Sequence, residues 1–252
     1  MEKYYELGSL VSFSEDSTHE FKQHRSLCIE EIPAWCEVAI DDTVRRSRQP
    51  VSKTICAMLN TGRGGYIFLG IEDKGKVLGI RFSQAQKDHF LVSLDDMLKR
   101  FKPVVPPTRV KVRFVAVRED VEPLNWNQQN IGRRERPHSI RTAQNCWCDD
   151  EALADFEKSK YAGLYVVEIT VKPWLGEYKV EGLEFLHPLY QNEEGLCYMR
   201  RQASNALFTI NDIHAATKNQ VIRFYQADPN RLQEDFSKVA SEEEDQNEAM
   251  QR

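Results

Sequence analysis

Between Pro50 and Ile80 the apolar positions change period twice, and the chain's other elements are read outward from there. Ile55, Met58 and Leu59 recur at helical spacing, and Pro50 suits the first turn of that helix. Asn60-Thr61-Gly62-Arg63-Gly64-Gly65 ends it, because glycine accepts the backbone angles beyond a helix terminus. Tyr66 to Ile71 is a continuous apolar run, which predicts a strand buried on both faces. Glu72 to Lys76 predicts a tight turn into a second strand, Val77-Leu78-Gly79-Ile80, and leaves Asp73 at the end of a rigid strand.

The same reading extends in both directions. Tyr4 to Phe13 predicts a strand, Ser14 to His19 a polar turn, and Glu20-Phe21-Lys22 a second short extended piece. Between Leu27 and Val44 the residues Ile29, Ile32, Trp35, Cys36 and Ala39 fall on one helical face, with Pro33 limiting or starting the helix. Ser83 is placed to cap a helix through Phe101 whose core stripe is Phe90, Leu91, Leu94, Met97, Leu98 and Phe101. Lys102 to Pro107 forms a stiff connector, and Val110 to Val117 alternates as a strand. Residues 119–160 lose all periodicity and read as a long polar insertion loop. Leu164 to Val171 predicts a strand, Leu189 to Arg200 a hairpin about Asn192-Glu193-Glu194-Gly195, and Thr209 the cap of a helix through Phe224. Helices and strands intermix without βαβ alternation, so the expectation is one α+β domain over 1–226 with a mixed β-sheet packed with helices. A tail over 227–252, with Glu242, Glu243, Glu244, Asp245 and Glu248, is expected to be solvated and disordered.

Composition narrows the function classes. No apolar run reaches the ~18 residues of a membrane helix, and no basic start with an apolar stretch marks a signal peptide. The six cysteines match no disulfide-scaffold spacing and read as reduced thiols of an intracellular protein, expected in the cytoplasm with the nucleus open. The net charge of −5 argues against bulk nucleic-acid binding, but the acidic tail carries most of it, so a local basic face remains open. Glu15, Asp16 and Glu20 lie in and beside one turn. Three acids at one point raise each other's proton affinity and suit a hard divalent cation, which can activate water for phosphodiester cleavage. On spacing alone the commoner reading of three such acids is ordinary surface. Cys146, Cys148 and His138 offer three potential zinc ligands in the long loop, but such a pair in a polar loop is usually incidental and zinc is not expected.

Glu20-Phe21-Lys22, then Ile55 to Thr61, Gly64-Gly65-Tyr66-Ile67-Phe68-Leu69-Gly70-Ile71-Glu72-Asp73 and Val77 to Ile80 together resemble the Alba-like domain of the Schlafen family. Tyr198 to Asn205 resembles that domain's closing hairpin and the helix after it, so the likeness spans about Tyr5 to Thr217 and is nearest to single-lobed Schlafen-like proteins. The resemblance implies a metal-dependent RNA endonuclease, or a subunit of one, that cuts structured small RNA such as tRNA or piRNA precursors. It implies Glu20 and Asp73 as two carboxylates, and Glu15, with Asp16 as its substitute, as the third, holding Mg2+ or Mn2+ at an exposed site. Positions that carry zinc ligands in mammalian relatives are Pro, Val, Trp and Leu here. Long Schlafens pair two lobes around RNA, so this chain is expected to need a second Schlafen-like lobe, from itself or another subunit. The basic candidates for RNA are Lys22, Arg25, Arg63, Arg200 and Arg201, with Arg133, Arg134, Arg136 and Arg141 in the long loop; Trp126 or Trp147 could stack on a base. The rival expectation is a non-catalytic RNA-binding or scaffold subunit that completes a multi-subunit nuclease.

Overall fold

A computed structural model describes residues 3–32, 36–40, 43–118, 163–174, 188–227 and 230. The long polar loop with its zinc candidates, and the acidic tail, lie outside the described residues. The described chain falls into two compact units, one of residues 1–173 with 189–207, the other of 174–188 with 208–252.

The first unit is built on a mixed sheet of six strands. In sheet order these are β1 (Tyr5–Glu6), β7 (Val110–Arg118), β8 (Gly163–Val171), β5 (Gly65–Leu69) and β2 (His19–Lys22), with β6 (Ile80–Phe82) also on β8. The pairs β1–β7 and β2–β5 are parallel, and those made by β8 are antiparallel. This is the α+β class with a mixed sheet that the periodicity predicts. Helix α1 (Val51–Asn60) begins one residue after Pro50 and is buried over almost its whole length. Helix α2 (Gln84–Lys99) carries a capping box in which the Ser83 hydroxyl and the Gln86 side chain serve each other's backbone amides. The other ribbons are β3 (Glu37–Ile40) with β4 (Thr43–Arg46), and β9 (Cys197–Arg201) with β10 (Ser204–Phe208). In the second unit, α3 (Ile210–Ala227) starts at Thr209, whose hydroxyl accepts the Asp212 amide while the Asp212 carboxylate accepts the Thr209 amide.

Five sequence expectations are corrected. Only Tyr5 and Glu6 of the first predicted strand are strand, because the chain turns after Glu6 and Gly8 adopts positive φ. Where the sequence predicts a helix over Leu27 to Val44, the described residues form a 3₁₀ turn, Ile29–Glu31, and further on the β3–β4 ribbon. Pro33 cannot continue a helical ladder, and the β-branched residues beyond it suit an extended backbone. The hairpin predicted about Asn192 is only a turn. The true one is β9–β10, which reverses at Gln202 with φ +50°. Tyr66, within the strand predicted to be buried on both faces, is 46% exposed.

The fifth correction concerns Asp73. The turn at residues 72–75 reverses the chain as predicted and bridges Ile71 to Val77, but no hairpin partner of β5 follows; β6 resumes on the same edge of β8 and runs in the same direction as β5. Residues 70–79 are therefore an excursion from one edge. Its neck is closed by Gly70 and Gly79: the Leu78 and Gly79 amides both donate to the Gly70 carbonyl, at 2.9 and 2.8 Å. Both glycines have positive φ, +95° and +69°, and a Cβ on Gly70 would lie 3.0 Å from the Gly79 backbone. Only glycine fits there without strain. We expect Gly70→Ala to cost at least ~1 kcal/mol of stability in denaturant unfolding; a neutral change would show that the neck is not constrained.

Candidate functional site

The strand β2 lies at the edge of the sheet, where outward amides need partners other than a strand. The Glu15–His19 turn supplies them. Asp16 Oδ1 accepts the Thr18 and His19 amides at 2.6 and 2.7 Å, together with the Thr18 hydroxyl, and lies 3.0 Å from His19 Nδ1. Glu15 Oε1 accepts the Phe21 amide at 2.8 Å. Partial burial works against the Asp16 charge, but the Thr18 and His19 hydrogen bonds outweigh it and hold the carboxyl down at about 2. Glu15 goes the other way. Burial raises its proton affinity most, the Phe21 amide opposes this, and the charges of Glu20 and Asp73 raise it further.

Glu20 projects from the opposite side of β2, toward α1. Contrary to the expectation of an exposed group, it is only 8% exposed. Oε1 is 3.0 Å from Lys22 Nζ and Oε2 is 2.6 Å from an Arg200 nitrogen. The Thr54 hydroxyl, from α1, lies 3.4 Å from Oε1. Arg200, from β9, has no exposed side-chain surface. Its guanidinium also donates to the Asp16 carbonyl at 2.8 and 3.1 Å, to the His19 carbonyl at 2.8 Å and to Asn205 Oδ1 at 3.0 Å. Asn205 in turn donates to Thr54. One arginine thus ties the acidic turn, the edge strand and the β9–β10 ribbon to the Glu20 carboxylate.

These contacts sort the candidates. The charges of Glu20 and Asp73 both act on Glu15, with Asp73 exposed on the excursion after β5. Asp16 faces its own turn. In kind the three acids fit a hard divalent cation, since the repulsion that Glu20 and Asp73 exert on Glu15 is what such an ion relieves. Among the described residues, however, no three His, Cys, Asp or Glu side chains are arranged to enclose an ion. Glu20 is turned to Lys22 and Arg200, and Glu15 to the Phe21 amide. Arg200 is spent inside the protein and Lys22 is buried on Glu20, which removes both from the surface that meets a ligand. Arg63 and Arg201 are exposed, and Arg25 lies 5.5 Å from the Phe82 ring centroid.

Sequence reasoning missed Lys53, Thr54 and Asn205. Lys53 sits 4.9 Å over the Tyr198 ring, and its proton affinity is lowered first by burial and then by Lys22. The available signal was positional: Lys53 and Thr54 occupy the first turn of a helix packed on the sheet. Asn60, which closes that helix, accepts the Tyr190 amide at 2.7 Å and donates to the Tyr190 and Tyr198 carbonyls.

Arg200→Met leaves Glu20 with half its compensation and strands the Asp16 and His19 carbonyls. It should cost about 3–5 kcal/mol in denaturant unfolding, and adding Glu20→Gln should recover part of that loss. For Asp16, the folded pKa lies below its ordinary value of 3.8, so its stabilisation is present above pH ~4 and is lost as the pH falls through about 2. Asp16→Asn should therefore flatten the stability–pH curve between those limits in acid titrations, and an unchanged curve would contradict the assignment.

Among the described residues no helix is long and apolar enough to cross a membrane. The family model described as Schlafen, AlbA_2 matches residues 15–209, more than three quarters of the chain. The match begins at Glu15 and ends just after the β9–β10 ribbon that carries Arg200 and Asn205. On that match this chain belongs to the Schlafen AlbA_2 family, which includes nucleic-acid-binding, nuclease-like members.

Proposed function

We propose that this chain is an RNA endonuclease, or a subunit of one, acting on structured small RNA of the tRNA or piRNA-precursor kind through Glu15, Glu20 and Asp73. The observation that supports the reading most is that the charges of Glu20 and Asp73 both bear on Glu15, whose carboxylate lies on the free edge of β2. Mg2+ or Mn2+ bound by them would lower the proton affinity of water and offset charge on the phosphodiester. Glu15, with its proton affinity raised and Oε1 tied to the Phe21 amide, is suited to take a proton at Oε2. Lys22 and Arg200 hold the Glu20 carboxylate in place, and Arg63 and Arg201 supply exposed positive charge for phosphates. A second Schlafen-like lobe would close the site around its RNA, and the cytoplasm is the compartment this substrate implies.

One observation favours the second reading, a binding or scaffold subunit: both oxygens of Glu20 are already engaged by cations. Cleavage of end-labelled tRNA and hairpin RNA in Mg2+, Mn2+ or EDTA separates the two. Asp73→Asn is the sharper variant, because Asp73 is exposed whereas Glu20→Gln disturbs a buried ion pair. A metal-dependent nuclease should lose at least about 100-fold in rate with Asp73→Asn while its unfolding midpoint holds, on the scale of removing one electrostatic group from an active site. Metal-dependent cutting that survives the substitution would reject the carboxylate assignment. RNA binding without cutting would favour the scaffold.

A further inference from the structure

The face of the sheet opposite α1 is covered over only part of its length. Tyr5, Val11 and Phe13 of the N-terminal segment, with Ile71 and Val77 of the excursion, pack on Phe21, Phe68, Val117 and Val166. Beyond that cluster the register sets Tyr66, Thr170 and Lys111 side by side on β5, β8 and β7. The next row is Phe68, Glu168 and Arg113, and alternation puts both rows on one face.

Tyr66 is 46% exposed, whereas Ile67, Phe68 and Leu69 after it are buried. Its ring is not loose. His19 on β2 stacks beside it at 5.6 Å and 20°, and Phe13 supports His19 at 5.1 Å. On the β7–β8 side of this aromatic step the charge is positive, while Asp16 sits against His19 on the other side. Lys111 is exposed, and Lys3 and Arg113 share a single partner, Glu168, on the same face. On that side one carboxylate, Glu168, stands against three cations. A held, half-exposed ring flanked by cations suits a planar base with its phosphates, since stacking needs a fixed π-face and the backbone needs nearby positive charge. A protein partner would find one ring among charges and little aliphatic surface.

We propose that this open half of the sheet binds an unpaired nucleotide, with its base on Tyr66 beside His19 and its flanking phosphates near Lys111 and Arg113. The proposal rests on the nucleic-acid reading above and adds a base-reading face to the carboxylate edge. Glu15 bonds the Phe21 amide, two residues along β2 from His19, so a strand passing over that edge would meet both.

The test is fluorescence anisotropy of the full chain with labelled oligouridylate and with the same oligomer made abasic, both in EDTA. Tyr66→Thr should weaken oligouridylate binding roughly fivefold or more, Tyr66→Phe should not, and the abasic oligomer should bind wild type and Tyr66→Thr alike. Lys111→Gln should weaken both oligomers and lower the salt slope by about 0.7. Equal binding of the two oligomers by wild type, no binding of either, or unchanged oligouridylate binding by Tyr66→Thr would overturn the proposal. Loss of self-association in Tyr66→Thr with oligonucleotide binding intact would also overturn it, by giving the face to a second copy. Should Tyr66→Thr fail to fold, Tyr66→Phe and the abasic comparison still decide. No cleavage is read and no metal is present, so an inert carboxylate site leaves this result untouched.

Discussion

The structure around the candidate site depends on one buried carboxylate. Taking an acid out of water costs several kcal/mol unless cations and donors meet it, and Glu20 is met by Lys22 from its own strand and Arg200 from a ribbon about 180 residues later. Because Arg200 also binds the carbonyls of Asp16 and His19, the same guanidinium fixes the turn that presents Glu15. Thr54 and Asn205 complete the ring and anchor it to α1. The acidic edge is thus held from three separate parts of the chain. Removing one member disturbs the others, as expected of a network in which the surviving charge is left buried.

The edge strand explains why so many acids gather there. A free edge exposes amides that would otherwise recruit another strand. Here Asp16 and Glu15 occupy those amides, so both have structural work. Glu15 alone does so while also feeling Glu20 and Asp73. The glycine neck at Gly70 and Gly79 adds the third charge by letting the chain leave the sheet and return to the same edge of β8. Site and fold are therefore hard to separate at this edge, and substitutions of Glu15 or Glu20 carry a stability component that one of Asp73 avoids.

Much of this was legible in the sequence, for identifiable reasons. Elements with a strong local signature were readable: α1 between Pro50 and its glycines, α2 from the Ser83 cap, and β8 from a run rich in β-branched residues. The region 27–44 was not, since five apolar residues can match a helical stripe by chance while Pro33 and the β-branched pairs favour ribbon. The partner of β6 was also out of reach, because a turn signal says that a chain reverses and not which strand receives it. The resemblance pointed to particular acids, but it could not give their surroundings. Arg200 looks like any surface arginine in sequence, and only the fold shows that it is enclosed with Glu20. For Asp16 and Glu15 both side chains bond β2 amides; Asp16 closes its own turn, while Glu15 alone is also acted on by Glu20 and Asp73.

The central claim is that Glu15, Glu20 and Asp73 form one cation-seeking cluster rather than three independent surface acids. Calorimetric titration of Mn2+ into the metal-free full chain tests it most directly, with Asp73→Asn and Asp16→Asn alongside. The account predicts one principal site, weakened by Asp73→Asn at least about tenfold, the loss that even an outer partner of a metal site typically causes, and unaffected by Asp16→Asn. Mn2+ binding that is indifferent to Asp73, or that depends on Asp16 instead, would contradict it.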